Sequence, residues 1–260
     1  MDEVTKAVLD QTKGVATEAY KDIVRPAAKP LGEILALFPR TLRIAFSGWE
    51  RWLNNKEESL TLTAQAIEEK VKQIPEEKIV EPEAYVAIPA IQQLCYCQNS
   101  DTLRDLYANL LVSSMNVDKK WQVHPSYVDI IKQLNPDEAK YLKSLPTVAV
   151  QIIPLIDVDF SIGEVKGGHP IISNFTDYHL EVLEHPQNIC AYIDNLVRLN
   201  IIEIPFGQVL NDPQKYQELE KHPMIQNPVR GDQKMIKYHY RHKMFKLTNF
   251  GMNLLNVVCH

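Results

Sequence analysis

The sequence predicts a mainly α fold with a smaller α+β part: a helical N-terminal domain over residues 1–134 and a winged-helix-like domain over residues 135–260. Three observations carry this. Apolar residues recur at helical spacing through much of the first half. Asn135-Pro136-Asp137-Glu138 announces a fresh helix, with Asn135 as N-cap, Pro136 in the first turn and Glu138 closing a capping box. Beyond Leu145 β-rich runs appear. From Pro186 onward the order becomes helix, Asn turn, strand, hairpin, strand and closing helix, as in a winged helix.

Residues 1–25 read as a helix weakened at Gly14 and broken by the prolines at Pro26 and Pro30. An amphipathic stretch follows, with Leu31, Leu35, Phe38, Leu42, Ala45, Trp49 and Trp52 in one stripe and Pro39 as a kink. A more polar helix runs from about Ser59 to Ile74 and ends at Pro75. Pro82 to Pro89 reads as a connector, with Pro89 opening a helix through Cys95. The helix beginning at Ser100 lines up Leu103, Leu106, Tyr107, Leu110 and Leu111.

In the second half, 148–153 is β-rich and loops around Gly163, Gly167 and Gly168 follow. The helix Pro186 to Leu199 shows Ile189, Ile193, Leu196 and Val197 on one face, with Asn200 at the left-handed position after it. Ile201–Ile204 reads as a strand, and Met235–Tyr240 with Met244–Thr248 as a strand pair. Thr248 then caps a last helix bearing Phe250, Leu254 and Val257.

The 260 residues suffice for a sizeable core, and the composition is that of an ordinary folded protein. A net charge of −5 gives no overall pull toward nucleic acid or anionic lipid, so such binding needs a local patch. The opening residues lack the form of an export signal, no window is apolar enough for an ordinary membrane span, and Cys95, Cys97, Cys190 and Cys259 are expected to stay reduced. Together these predict a cytoplasmic protein, with peripheral membrane attachment as the variant.

The stretch Leu103-Arg104-Asp105-Leu106-Tyr107-Ala108-Asn109-Leu110-Leu111, the pair His124-Pro125 and the run from Lys132 to Ala139 together resemble the bacterial abortive-infection alpha family. The phrase Tyr192 to Leu199 with Ile201-Ile202-Glu203, and the ending Leu247-Thr248-Asn249-Phe250-Gly251, resemble its C-terminal part. The resemblance implies a role in phage defence and implies no chemistry.

Each candidate site also has a plainer reading. Cys95-Tyr96-Cys97 has too short a spacing for structural zinc, and the histidines of His239-Tyr240-Arg241-His242 point to opposite faces in a strand. No metal and no cofactor is expected. No phosphate loop, nucleophile elbow or kinase signature occurs, so the reading is a non-enzyme. Arg104, Asp105, Tyr107 and Asn109 read as helix-fixing polar groups, and His124 as a cap or packing residue. Lys234, Lys237, Arg241, His242, Lys243 and Lys246 form a basic cluster that suits a wing tracking a phosphate backbone, the candidate nucleic-acid contact. The helix beside it offers only Arg198 for reading bases. Phe38, Phe46, Trp49 and Trp52 are the candidate membrane or subunit contact. The expectation is an antiphage defence protein that binds a phage or host protein, with homo-oligomerisation open. The rivals are a winged-helix nucleic-acid-binding regulator and a membrane-perturbing effector.

Overall fold

The computed structural model describes residues 57–94, 96–97, 99–146, 152–162, 168–226, 228 and 236–259. The expectations for residues 1–53, including Phe38, Phe46, Trp49 and Trp52, and for Lys234 lie outside these. Helices accompany an antiparallel sheet, so the fold is α+β. Two compact units divide the chain: residues 1–99 with 107–121, and residues 100–106 with 122–260. No helix among the described residues is long and apolar enough to cross a membrane.

The first unit contains α1 (Glu57–Val71), α2 (Ala84–Leu94) and most of α3 (Asp101–Met115). Ala64, Ile67 and Val71 place one face of α1 in the core. The turn Glu76–Lys78 is tied to the chain leaving α3 by Val80 N–H to the Met115 carbonyl (2.8 Å) and Val117 N–H to the Lys78 carbonyl (3.0 Å). Pro89, expected to open a helix, lies inside α2 instead. Its ring costs about 3 kcal/mol in a helix interior. The apolar run Val86, Ala87, Ala90, Ile91 and Leu94 passes through it and is wholly buried, which offsets that cost.

The second unit adds α4 (Ser126–Lys132), α5 (Pro136–Ser144), β1 (Ile153–Ile162), β2 (His169–Phe175), α6 (Ile189–Arg198), β3 (Ile202–Glu203), α7 (Pro213–Glu220), β4 (Ile236–Leu247) and α8 (Asn249–Val258). Strand order is β2-β1-β4-β3. β4 is one continuous strand over the residues expected to form a strand pair: it pairs with β1 from Ile162↔Ile236 to Ile153↔Phe245 and with β3 at its far end. The polar run Arg241-His242-Lys243 reads as a turn by composition, but here each side chain meets an acid on a neighbouring element. β1 and β2 stand on either side of the expected glycine loops, of which only Gly168 is described, and neither these two strands' extents nor α7 was foreseen.

The expected N-cap, proline and capping box of α5 all form, with Asn135 N–H to Glu138 Oε2 and Glu138 N–H to Asn135 Oδ1 both at 2.8 Å. α6 starts as a 3-10 turn over Pro186–Asn188 and becomes α-helical at Ile189. Ile189, Ile193 and Leu196 are buried as expected, whereas Val197 is 36% exposed on the flank of that face. Asn200 takes φ 56°, and Ile201 N–H reaches the Leu196 carbonyl (3.0 Å), the left-handed helix stop expected there. Thr248 caps α8 through Gly251 N–H (2.8 Å).

Candidate functional site on the polar face of the sheet

Antiparallel register sets Leu155 opposite Lys243, Asp157 opposite Arg241, Asp159 opposite His239 and Ser161 opposite Lys237. Since alternate strand residues share a face, the acids and Ser161 of β1 lie among cations of β4. Asp157 is buried, and it accepts from Lys243 Nζ (2.7 Å) and from the backbone N–H of Asn174 (2.9 Å). Arg241 Nη2 bridges Asp157 Oδ2 (3.4 Å) and Asp159 Oδ1 (3.3 Å). Asn174 stands at φ 60°, donates to Asp194 Oδ1 of α6 (2.7 Å) and accepts from Lys243 Nζ. Gly168 permits β2 to start against β1, because a Cβ there would lie 2.8 Å from the Asp159 Cβ.

The basic cluster is thus largely committed to carboxylates. Lys246 pairs with Glu203 (3.0 Å). His242 points to the opposite face, meets Glu220 (2.7 Å) and stacks on Tyr216 with ring centroids 4.1 Å apart. His239 contacts Ser161 Oγ (2.9 Å), so the two histidines diverge as strand alternation requires. Lys237 is exposed at the end of the ladder. Arg198 donates to Gln133 Oε1 (2.9 Å) and Asn195 Oδ1 (2.7 Å).

A second polar constellation, missed by sequence reasoning, joins α5 to α6. Asp137, 4% exposed, accepts from the amides of Glu184 (3.0 Å) and His185 (2.8 Å) and from the Tyr192 hydroxyl (3.3 Å). Burial works against its charge, but these donors and the Lys140 ammonium outweigh it and hold the carboxyl below its ordinary value. Asn195 donates to Glu138 Oε1 (2.9 Å) and the Gln133 carbonyl (3.1 Å). The signal for this network was present as two phrases, Lys132 to Ala139 and Tyr192 to Leu199, whose polar residues turn out to pair with each other.

The remaining candidates are engaged with neighbouring groups or buried. His124 Nδ1 accepts from Ser126 N–H (3.2 Å) at the start of α4, and its ring packs on Tyr127 and Phe250. Arg104 pairs with Asp101 and Asp105 with Lys143 (2.5 Å), while Tyr107 and Asn109 are buried. Cys97 is buried and its thiol donates to the Gln93 carbonyl (3.4 Å); Cys95 is outside the described residues. Burial pushes the Cys190 thiol up to about 11 and the Cys259 thiol up to about 12, which keeps both protonated at neutral pH.

A family described as Abortive infection alpha matches residues 55–258. No curated protein and no solved structure matches the chain.

Proposed function

The chain belongs to the abortive infection alpha family, and from that premise we propose that it serves antiphage defence by binding a phage or host protein rather than by catalysis. One observation carries the reading: Arg241, His242, Lys243 and Lys246 of the sheet are paired with carboxylates, while an aromatic side chain is held fully in solvent. Phe206 is 104% exposed on the turn Pro205-Phe206-Gly207-Gln208, closed by Gln208 N–H to the Pro205 carbonyl (3.4 Å) with Gly207 at φ 71°. These are the marks of a type II turn. The loop behind it is anchored, since Leu210 N–H donates to the Tyr216 hydroxyl (2.9 Å), which itself donates to the Lys243 carbonyl (2.8 Å). Aromatic residues, Phe among them, are enriched in protein interfaces relative to the rest of the surface.

In this reading the order α6, Asn200 turn, β3, β4, α8 is a winged-helix arrangement elaborated by α7, and the β3–β4 connection occupies the place of the wing. It presents Phe206 where a DNA-tracking wing presents cations. The test is a phage challenge of cells carrying the intact gene or Phe206→Asp. The variant is expected to fold, with an unchanged circular dichroism spectrum, and to lose protection. Full protection by a folded Phe206→Asp protein refutes the role given to this loop. Purified protein is expected not to retard DNA at low salt. Retardation that weakens on Lys237→Ala or Arg241→Gln transfers the function to the nucleic-acid rival, and leakage from anionic liposomes transfers it to the membrane rival.

A further inference from the structure

The loop that carries Phe206 is fixed where it starts and where it ends. Its start is held by β3, where Ile202 pairs with Leu247 and Glu203 with Lys246. Along its tip Phe206, Gly207, Gln208 and Val209 are all exposed, and nothing lies within 4 Å of where a Cβ on Gly207 would stand. Apart from the turn's own bond, residues 204–211 are tied to the rest of the described residues by one hydrogen bond, from the Leu210 amide to the Tyr216 hydroxyl (2.9 Å).

Local sequence puts Tyr216 in reach of that amide. Asp212 caps α7 by accepting from Gln214 N–H (3.1 Å), and Pro213 occupies its first turn. Tyr216 follows at the fourth helical position, 1% exposed, and its hydroxyl reaches back past the cap to Leu210. A hydrophobic staple sets the entry angle of a chain by packing the fourth helical residue on one ahead of the cap. Here a phenol does the same by hydrogen bonding. Its ring is seated by stacking on His242, with centroids 4.1 Å apart and planes 9° apart, and Glu220 holds that imidazole at 2.7 Å. Burial raises the phenol above its ordinary pKa, so it remains a hydroxyl. It can therefore accept from Leu210 while donating to the Lys243 carbonyl (2.8 Å).

We propose that Tyr216 is the positioning residue of this loop: its hydroxyl, acting through the Leu210 amide, fixes the direction in which Phe206 is presented to a partner. The proposal rests on the interface role of Phe206. A loop that must be ordered when its partner arrives binds more weakly than one already fixed in the bound form.

Amide hydrogen exchange and phage challenge with the full chain test it together. In the wild type the Leu210 amide is expected to exchange about tenfold or more slower than the Val209 amide, each relative to its intrinsic rate. Equal protection of the two overturns the proposal, and this measurement needs no variant. Tyr216→Phe keeps the ring and removes the hydroxyl. It is expected to retain the circular dichroism spectrum and the slow exchange of β1. Leu210 exchange is expected to rise, and protection against phage to fall, by about tenfold. Leu196→Ala empties a buried site on α6 and is expected to lower Tm further, yet to protect better than Tyr216→Phe at a temperature where both are folded. Faster Leu210 exchange with full protection overturns the proposal. So does a loss of protection no greater than that of Leu196→Ala, which makes the effect one of stability alone. Full protection by Phe206→Asp removes the interface role and this proposal together, whereas its failure beside a fully protecting Tyr216→Phe removes this proposal alone.

Discussion

The carbonyl oxygen of Ile201 lies 2.0 Å from the point where a Cβ on residue 251 would stand, so only Gly251 fits there. That carbonyl also accepts from Thr248 N–H (3.0 Å), and the Thr248 hydroxyl donates to the Asn200 carbonyl (2.7 Å) while accepting from Gly251 N–H (2.8 Å). The ending Leu247-Thr248-Asn249-Phe250-Gly251 is therefore a latch that closes α8 onto the turn leaving α6.

Gly251→Ala is expected to destabilise the protein by about 3 kcal/mol, because the obstructing atom is backbone and no rotamer change relieves it. Thr248→Ala removes the cap and is expected to cost about 1 kcal/mol. Urea unfolding measures both. A Gly251→Ala midpoint equal to that of the wild type contradicts the close approach.

Leu196 and Val197 are neighbours with different fates. Leu196→Ala empties a wholly buried site and is expected to cost roughly 2–5 kcal/mol. Val197→Ala, on the exposed flank, is expected to cost under about 1 kcal/mol. Equal melting temperatures for the two variants contradict the assignment of the buried face.

Asp137→Asn replaces an acceptor with an amide that cannot receive all its donors, and is expected to cost about 1–3 kcal/mol at neutral pH. The folded carboxyl titrates below its ordinary value of 3.8, so its stabilisation is full above that pH and is lost as pH falls through the folded value. The stability gap between wild type and Asp137→Asn is thus expected to narrow in acid. A gap that stays constant, or widens, from pH 6 to about pH 3 speaks against a charged Asp137 in the folded protein.

Among the described residues, the Tyr141 hydroxyl is a buried polar atom with no hydrogen-bond partner. Tyr141→Phe removes the oxygen and little else, and it is expected to leave stability unchanged or raise it by up to about 2 kcal/mol. A clear loss of stability reveals a partner for the hydroxyl.

Lys243 and Arg241 both face Asp157, but Lys243 is the closer and the less exposed of the two. Lys243→Met leaves the 9%-exposed Asp157 side chain only the Asn174 N–H and the more distant Arg241, and is expected to cost about 2–4 kcal/mol. Arg241, 59% exposed, contributes at most about 1 kcal/mol by the same measure. Thermal unfolding separates them, and a larger effect at Arg241 reverses the description of the site.

Helix ends were the legible part of this chain, because capping is written in consecutive residues. Asn135 through Glu138, Asn200 and Thr248 each carry their own instruction. β1 was illegible for the opposite reason. Leu155 and Ile156 are both buried, so the first half shows no alternation, and Asp157 and Asp159 are poor strand formers that are accommodated by Lys243 and Arg241 from a distant strand. The same dependence concealed the site. Six cationic positions read as an anion-binding wing, and four of them, Arg241, His242, Lys243 and Lys246, meet carboxylates that come from β1, α7 and β3. Val197 was misplaced by one helical step at the edge of a face whose centre was found.

The ladder between β1 and β4 also sets an order of events. Lys243 and Asp157 are 86 positions apart, so the central strand pair closes one of the longest loops in the second unit. Strand β2 adds to one edge of β1 and β3 to the far edge of β4, and neither pairing makes up for the central one. Until β4 has left the ribosome, β1 has an open edge bearing Ile156 and Val158, and Asp157 waits without its lysine. Folding of this unit is therefore expected to be late and slow. In the interval the nascent chain leaves an unpaired strand edge, open to aggregation, exposed to the cell.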